Sequence, residues 1–235
     1  LNHLETVDTD LDGIGDNTDE DDDNDGIPDE SEVALGLDPK DEQDGSADSD
    51  GDGMSNYDEY ISGTDLNVDT VAPELNVPDD TLVASTGPLT SVDLGVATAT
   101  DIKDGVIVPT VDNTGPFTPG RHILTWSATD EAGNAASETQ VVDVVPQVSF
   151  SVSQVIDEGS SAIVNILLNG SAATYPITVP FTVTGTAESG VDHNLESGEV
   201  VIESATSANL GVVTLEDGIW EGDENILITM GIPSN

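Results

Sequence analysis

Acidic residues recur at fixed spacing in the first 70 residues of the chain. Three twelve-residue segments share the pattern: DTDLDGIGDNTD (8–19), DDDNDGIPDESE (21–32) and DSDGDGMSNYDE (48–59). Each segment carries Asp at positions 1, 3 and 5, Gly at position 6, Asp or Asn at position 9 and an acid at position 12. Chance or simple solvation would not keep one register three times. The pattern predicts three loops that wrap their oxygen atoms around a cation.

The donor atoms of these loops indicate calcium. Their side chains supply hard oxygens, and position 7 can add a backbone carbonyl. Magnesium prefers fewer protein ligands and more water, and softer metals prefer His or Cys, which the loops lack. We therefore expect at least three Ca²⁺ ions in residues 1–68. The candidate ligands are Asp8, Asp10, Asp12, Ile14, Asp16 and Asp19 in the first loop, Asp21, Asp23, Asp25, Ile27, Asp29 and Glu32 in the second, and Asp48, Asp50, Asp52, Met54, Asn56 and Glu59 in the third.

The charge of the chain narrows the classes of partner. Its 235 residues contain 48 Asp and Glu against 3 Lys and Arg, a formal net charge of −45. Nucleic acid and anionic membrane surfaces would repel such a chain, because binding to them needs basic side chains. We therefore predict no nucleic-acid partner, and no apolar run is long enough for membrane insertion of this segment. The chain has no cysteine, so neither disulfides nor thiolate metal sites stabilise it.

Three compositional zones predict the domain organisation. Residues 1–68 are rich in Asp, Gly and Asn and lack apolar periodicity, which by composition alone is typical of disorder. Residues 69–145 and 147–235 carry short alternating apolar runs, such as VIVPTV (106–111) and AIVNILLN (162–169), separated by turn residues. Many short strands with regular turn signals predict two β-sandwiches.

The first zone resembles bacterial thrombospondin type 3 repeats, in which an acidic loop leads into a short helical turn and then a GTDP-like ending. GLDPKD (36–41) and GTDLNVD (63–69) are similar to that ending. The resemblance implies a segment that builds its structure around ions and has little other core. It also implies that Asp38, Asp44 and Asp65 complete neighbouring cation sites.

The second zone resembles hyalin-repeat domains, which have an immunoglobulin-like fold and act mainly in adhesion or as spacers. The resemblance rests on DTVAPEL at its start and on FTPGRHILTWSATDEAGNAAS (117–137). Asp130 and Asn134 are most simply interpreted as caps of the turn in this motif. The weaker alternative is a calcium ion shared by Asp69, Asp101, Asp104 and Asp130.

The third zone resembles Calx-β domains, which sense calcium in sodium–calcium exchangers. The resemblance rests on VIDEGSSAIVNILLNG, GTAESGVDHN and LEDGIWEGDENILITM. It implies calcium ligands at Glu158, Asp192, Glu216, Asp217, Glu221 and Glu224. The chain has Glu216–Asp217 where the family often pairs two aspartates, so occupancy of this site stays open. The family has one more strand after residues 225–230; we expect truncation here, with a strand supplied by another chain as the alternative.

These observations predict a mainly β chain: a calcium-loop segment with little regular structure, then two tandem immunoglobulin-like β-sandwiches in an elongated rod. No catalytic motif is present, and His3, His122 and His193 lie in different zones, so we predict that the chain is not an enzyme.

The expected function is that of a calcium-binding extracellular structural or adhesion protein. Its Asp-rich loops fold around calcium and stiffen a multidomain rod in a surface fibre, adhesin or matrix. The alternative is a non-catalytic, calcium-binding spacer region of a secreted hydrolase. We expect calcium ions as partners, together with copies of the chain, surface proteins or polysaccharides. The absence of cysteine favours a bacterial protein that is secreted or at the cell surface.

Overall fold

The computed structural model describes residues 7–216, 218–219 and 222–234, and this part of the chain is mainly β. Its regular structure consists of thirteen strands and two helices of 7 residues each. The predicted fold class is confirmed at this level. Within the described ranges, no helix is long and apolar enough to cross a membrane.

The helices precede all of the strands. They are α1 (Asp29–Leu35) and α2 (Asn56–Ser62). The strands of the second zone are β1 (Glu74–Asn76), β2 (Thr81–Ala84), β3 (Thr98–Asp101), β4 (Gly105–Ile107), β5 (Thr110–Val111), β6 (Gly120–Thr129) and β7 (Ala135–Val145). Those of the third zone are β8 (Val148–Phe150), β9 (Ser161–Leu168), β10 (Ile177–Gly185), β11 (Gly198–Ile202), β12 (Ser207–Val213) and β13 (Ile226–Met230).

The chain divides into two compact units. The first contains the residues up to Pro78 with Val96–Asp112 and Thr125–Thr139, and the second contains Asp79–Gly95, Asn113–Leu124 and the residues from Gln140 onward. The long strands β6 and β7 therefore contribute residues to both units. The domain boundaries expected near residues 68 and 146 stay predictions.

Both helices begin at position 9 of an Asp-rich loop and end at a glycine. Gly36 donates its N–H to the Glu32 carbonyl at 2.8 Å, and Gly63 donates to the Glu59 carbonyl at 2.7 Å. The acid at loop position 12 therefore lies within the helix, where it is fully buried in both cases. Isolated helices of this length are unstable in water, so α1 and α2 depend on contacts with the loops.

The loop segment has very little apolar core. Among the described residues up to 68, Ile27 and Leu66 are the buried hydrophobic side chains. Gly26 and Gly53, at position 6 of their loops, have φ values of 97° and 94°, which side chains rarely adopt. A Cβ on Gly26 would also lie 2.7 Å from the Tyr57 ring, because α2 packs over the second loop. Contacts between successive repeats thus replace a conventional core.

The β-part of the first unit contains one antiparallel sheet in the order β1-β3-β4. Strand β5 pairs with the end of β6, where Thr110 lies opposite Ser127. The apolar side chains buried here are small apart from Trp126: Ala97, Ala99 and Ala128. Asp101 ends β3 and Asp130 follows β6, so both strands lead into acidic turns.

The second unit contains two three-stranded antiparallel sheets, in the orders β12-β9-β8 and β11-β10-β13. Their inward-facing side chains form a core with Ile166, Leu168, Ile177, Val179 and Ile202 at its centre. Strand β2 pairs in parallel with the end of β7, in the sheet ordered β2-β7-β6-β5.

Candidate metal centre

The same pattern of hydrogen bonds recurs within each Asp-rich loop. The carboxylate at position 3 accepts a hydrogen bond from the backbone N–H of position 5, and the carboxylate at position 5 accepts one from position 7. The bonds measure 3.0, 3.1 and 3.0 Å for Asp10, Asp23 and Asp50, and 2.7, 2.8 and 2.8 Å for Asp12, Asp25 and Asp52. The backbone therefore orients one oxygen of each carboxylate, which fixes the direction of the other.

The carboxylates at positions 1, 3 and 5 converge in every loop. One oxygen from each lies within 4.8 Å of the other two. Calcium binds oxygen at about 2.3–2.6 Å, so two oxygens on one ion lie up to about 5 Å apart. The convergent sets are Asp8–Asp10–Asp12, Asp21–Asp23–Asp25 and Asp48–Asp50–Asp52.

Several carboxylate oxygens of these sets are buried without a hydrogen-bond donor, which favours a bound cation. Asp8 Oδ1, Asp21 Oδ1, Asp23 Oδ2, Asp25 Oδ2 and Asp50 Oδ2 are buried and have no hydrogen-bond donor among the described residues. Leaving an ionised oxygen buried and unpaired costs on the order of several kcal/mol. A cation coordinated by these oxygens removes that cost. The residues present therefore fit a hard divalent cation.

The second loop contributes to two convergent sets that share Asp25. Asp25, Glu32 and Asp44 also bring one oxygen each within 4.8 Å of one another. Glu32 is fully buried, and neither of its oxygens has a donor in the described part of the chain. Asp44 accepts the Asp38 N–H at 2.8 Å with Oδ2, while its Oδ1 has no described donor. The structure thus places Asp44, which the family resemblance implicated, beside the position-12 acid.

The third loop also buries its position-12 acid. Glu59 is fully buried; its Oε1 accepts the Thr64 hydroxyl at 3.4 Å, and its Oε2 has no donor among the described residues. Asp52 accepts the backbone N–H of Thr70 at 3.0 Å through Oδ2. This bond joins the loop to the chain immediately before β1.

Burial and mutual repulsion raise the pKa values of the crowded carboxyls. Desolvation, followed by the charges of Asp23, Asp25 and Asp44, raises the pKa of Glu32 to about 8. Burial is also the largest cause that raises the pKa of Asp23 to about 6 and the pKa of Glu59 above its ordinary value. Carboxyls respond in this direction when no positive charge balances them, and a coordinated cation reverses it.

Position 9 closes each loop onto its own second residue. The backbone N–H of position 2 donates to the position-9 side chain in Thr9–Asp16, Asp22–Asp29 and Ser49–Asn56, at 3.0, 2.9 and 3.2 Å. The structure thus assigns position 9 a contact that holds the loop closed. Its direct coordination of calcium stays a prediction.

Lys40 joins the first and second loops, a role that the sequence analysis did not find. Its Nζ forms ion pairs with Asp16 and, at 3.0 Å, with Asp22. Hydrogen bonds to both carboxylates raise the pKa of Lys40, so the side chain stays charged. Lys40 is 24 residues from Asp16, and no spacing rule links two residues so far apart.

Three other acids predicted as ligands of the first zone lie outside the convergent sets: Asp19, Asp38 and Asp65. Asp19 accepts the Glu20 N–H at 2.8 Å and therefore faces the connection to the second loop. Asp38 and Asp65 are exposed and belong to none of the acidic sets found among the described residues. The carbonyls of Ile14, Ile27 and Met54 stay predicted ligands.

A glycine outside the repeated pattern gives the second loop its close packing. An added Cβ at Gly45 would overlap Asp25 Oδ2, the oxygen that lacks a donor in the described part of the chain. We expect Gly45→Ala to displace Asp25 and to weaken calcium binding at the second loop by at least about tenfold, or about 1.4 kcal/mol. Site-resolved calcium titration by NMR measures this through the Ile27 amide, which donates to Asp25.

Gly87→Ala is the matched control, because Gly87 has open space around it and a backbone conformation that alanine accepts. We expect it to leave the titration unchanged. Wild-type affinity in Gly45→Ala would show that Asp25 does not depend on this packing.

The predicted Calx-β ligands approach one another in the second unit but form no convergent set of three carboxylates among the described residues. Burial, and then the charges of Asp192 and Glu158, raise the pKa of Glu224. A Cβ at Gly159 would lie 3.4 Å from Glu216, so that acid also faces this region. Asp217 and Glu221 lie outside the described residues. A calcium site here stays a prediction.

Comparison with known proteins gives little resemblance. No family model and no curated protein sequence matches the chain. CBM51-2 in complex with GlcNAc and the INT domains of Clostridium perfringens ZmpB share 16% identity at a TM-score of 0.26, over 62% of this chain and 44% of theirs. The M60 catalytic domain of ZmpB with CBM51-1 and CBM51-2 shares 16% sequence identity with this chain at a TM-score of 0.26. The match covers 66% of this chain and 23% of that one.

A human protein gives a similarly distant match. CDH23 EC21-23 shares 10% identity at a TM-score of 0.32, over 68% of this chain and 63% of that one. This chain therefore spans less than two thirds of each of these three structures. Similarities of this size do not indicate a function for this chain.

Proposed function

We propose that the chain is a calcium-binding segment of an extracellular structural or adhesion protein, in which thrombospondin type 3-like loops stiffen a multidomain rod. The observation that carries the proposal is the threefold convergence of carboxylates at loop positions 1, 3 and 5. All three loops contain buried carboxylate oxygens that accept no hydrogen bond from the described residues. A bound cation would balance the negative charge of these oxygens in each loop.

Ion binding supplies the cross-links that the apolar core lacks. Residues 7–68 bury only Ile27 and Leu66 as hydrophobic side chains within the described part. Each ion joins the successive acids of a loop, and in the second loop Asp25 also converges with Asp44. Because the ion-binding geometry does not persist in an unfolded chain, the free energy of binding becomes free energy of folding. Calcium thereby orders this segment.

The expected affinity suits the outside of a cell. Extracellular calcium modules bind at about 0.1–1 mM, so they are filled in calcium-rich fluid and would be empty in the cytosol. We propose a secreted or surface-exposed protein on this basis, and a bacterial one because the chain has no cysteine. Its proposed partners are copies of itself, surface proteins or polysaccharides, which the ordered segment would hold at a defined spacing.

The proposed role is non-catalytic. His122 and His193 engage in local contacts: His122 Nε2 bonds to the Thr118 carbonyl at 2.8 Å, and His193 Nδ1 accepts the Leu195 N–H at 3.1 Å. His193 is buried. Acid–base chemistry needs a proton donor or acceptor within reach of the reacting group.

Equilibrium dialysis against calcium and magnesium tests the proposal. At about 10 mM free calcium we expect close to three bound ions per chain from the loops and protection of residues 7–68 from proteolysis, since sites that bind at about 0.1–1 mM are then at least about nine-tenths filled. The same concentration of magnesium should protect much less, because its small octahedral shell fits these carboxylate sets poorly. Binding of about two calcium ions or fewer, or equal protection by both metals, would contradict the proposal.

A further inference from the structure

A fifth set of carboxylates lies in the β-part of the first unit, outside the repeated loops. Asp69 precedes β1, Asp101 ends β3 and Asp130 follows β6. One oxygen from each lies within 4.8 Å of the other two. The three residues are only 3%, 8% and 9% exposed. Three buried like charges at this separation repel one another strongly unless a positive charge lies between them.

One buried oxygen of this set points to a coordinated cation. Asp69 Oδ2 is buried and has no hydrogen-bond donor among the described residues, whereas Oδ1 accepts the Val71 N–H at 3.1 Å. Burial, and then the charges of Asp101 and Asp130, raise the pKa of Asp69. Lys103 is near enough to oppose this shift slightly, but it forms no ion pair within the described part of the chain.

The surrounding hydrogen bonds hold the three carboxylates in place. Asp101 accepts the Lys103 N–H at 2.9 Å, and Asp130 accepts the Gly133 N–H at 2.6 Å. The Asn134 amide donates to the Asp69 carbonyl at 3.0 Å and to Asp130 at 2.9 Å. Each acid is thus oriented by the backbone, as in the Asp-rich loops. Asp104 is used differently, because its carboxylate accepts the Glu131 N–H at 2.6 Å.

We propose that Asp69, Asp101 and Asp130 form a separate site for a hard divalent cation of the calcium class, which ties the chain before β1 to the turns after β3 and β6. The donor set is oxygen only, which excludes a preference for soft metals. The neighbouring Thr70 donates to Asp52 of the third loop. The ion therefore also fixes the point where the loop segment enters the β-sheet.

A calcium titration followed by NMR on the full chain tests this site. The Val71, Lys103 and Gly133 amides report on it, because they donate to its three carboxylates. We expect their signals to shift with a dissociation constant of about 0.1–1 mM. Asp69→Asn keeps an oxygen for the Val71 N–H and removes the charge, so it should weaken these shifts at least tenfold. Asp101→Asn should do the same and guards against a folding defect specific to one variant.

Asp93→Asn is the matched control. Asp93 is exposed and accepts the Gly95 N–H at 3.0 Å, so it has the same local hydrogen bond without the acidic neighbours. Its substitution should leave the three signals unchanged. Absence of shifts in the wild type up to about 10 mM calcium, ten times the upper end of the expected range, would overturn the proposal. An unchanged titration in folded Asp69→Asn or Asp101→Asn would overturn it as well.

The result is separable from the proposed function of the loops. The Ile27 and Met54 amides report on the second and third loops, because they donate to Asp25 and Asp52. Shifts at Ile27 and Met54 without shifts at Val71, Lys103 and Gly133 would refute the site at Asp69, Asp101 and Asp130 alone. The reverse outcome would refute calcium binding by the second and third loops and leave the site at Asp69, Asp101 and Asp130 standing.

Discussion

Replacement of Asp10, Asp23 and Asp50 by asparagine in one chain should unfold the loop segment at millimolar calcium while the sheets of the second unit stay folded. Each residue is the position-3 acid of its loop, oriented by the backbone and part of a convergent set. At about 10 mM calcium, an ion bound with a dissociation constant of about 0.1–1 mM adds about 1.4–2.7 kcal/mol. Three such ions add about 4–8 kcal/mol, which is comparable with the whole stability of a small domain.

Hydrogen exchange with mass spectrometry measures the outcome for each part of the chain. Amides of α1 and α2 should lose protection in the triple variant, and those of β9 and β10 should keep it, because their core does not involve the loops. A charge-matched control replaces Glu20, Glu30 and Glu42 by glutamine. These acids are exposed, lie in the same segment and belong to none of the convergent sets found in the described residues.

The control separates ion binding from the general relief of charge repulsion. Both variants lose three negative charges, but only the first loses loop ligands. We therefore expect protection of α1 and α2 in calcium to persist in the control. Retained calcium-dependent protection in the Asp10, Asp23 and Asp50 variant would show that the loops do not hold this segment together.

The loops were predictable because their ligands are local in sequence. Positions 1, 3 and 5 lie within five residues of one another, so the register alone indicates which side chains meet, and the carboxylates do converge in each loop. The contribution of Asp44 came only through family resemblance, since 12 residues separate it from Glu32. Contacts of Lys40 and Gly45 with the loops depend on how successive repeats pack, which spacing does not encode.

The strands of the second zone likewise could not be predicted fully from local sequence patterns. The run VIVPTV (106–111) predicts one strand, but the structure divides it into β4 and β5 on either side of Val108 and Pro109. Proline lacks the N–H that a continuous ladder requires. Strand β3 was missed because TATD contains no large apolar residue; its buried positions are Ala99 and Asp101. Small buried side chains do not produce the apolar alternation that sequence analysis detects.

Glu32→Gln should have opposite effects on the stability of the second loop with and without calcium. In calcium, the variant lacks the carboxylate that converges with Asp25 and Asp44, so it should lose up to the roughly 1.4–2.7 kcal/mol that one ion supplies at about 10 mM. In chelator, folded Glu32 must either take up a proton or remain a buried charge among other acids, so replacing it by glutamine should stabilise the fold. A residue with only a packing role would not change the sign of its effect with calcium.

The pH dependence in chelator follows from the pKa of Glu32, which rises from 4.5 to about 8 on folding. Between these values the folded chain holds a proton that the unfolded chain has released, so the ion-free wild type loses stability as the pH rises through this range. Glutamine does not titrate, and the advantage of the variant should therefore grow from about pH 5 to about pH 8. The stabilities of variant and wild type should be similar below about pH 4, where Glu32 is protonated in the folded state and largely protonated in the unfolded one.

Hydrogen exchange of the α1 amides, compared between variant and wild type at each pH, measures this difference and cancels the intrinsic pH dependence of exchange. An osmolyte such as trimethylamine oxide keeps the ion-free fold within the measurable range. Glu30→Gln is the control, since Glu30 lies on the same helix but is exposed. Destabilisation by Glu32→Gln in both chelator and calcium would contradict the argument, because it would mean that Glu32 stabilises the fold without an ion.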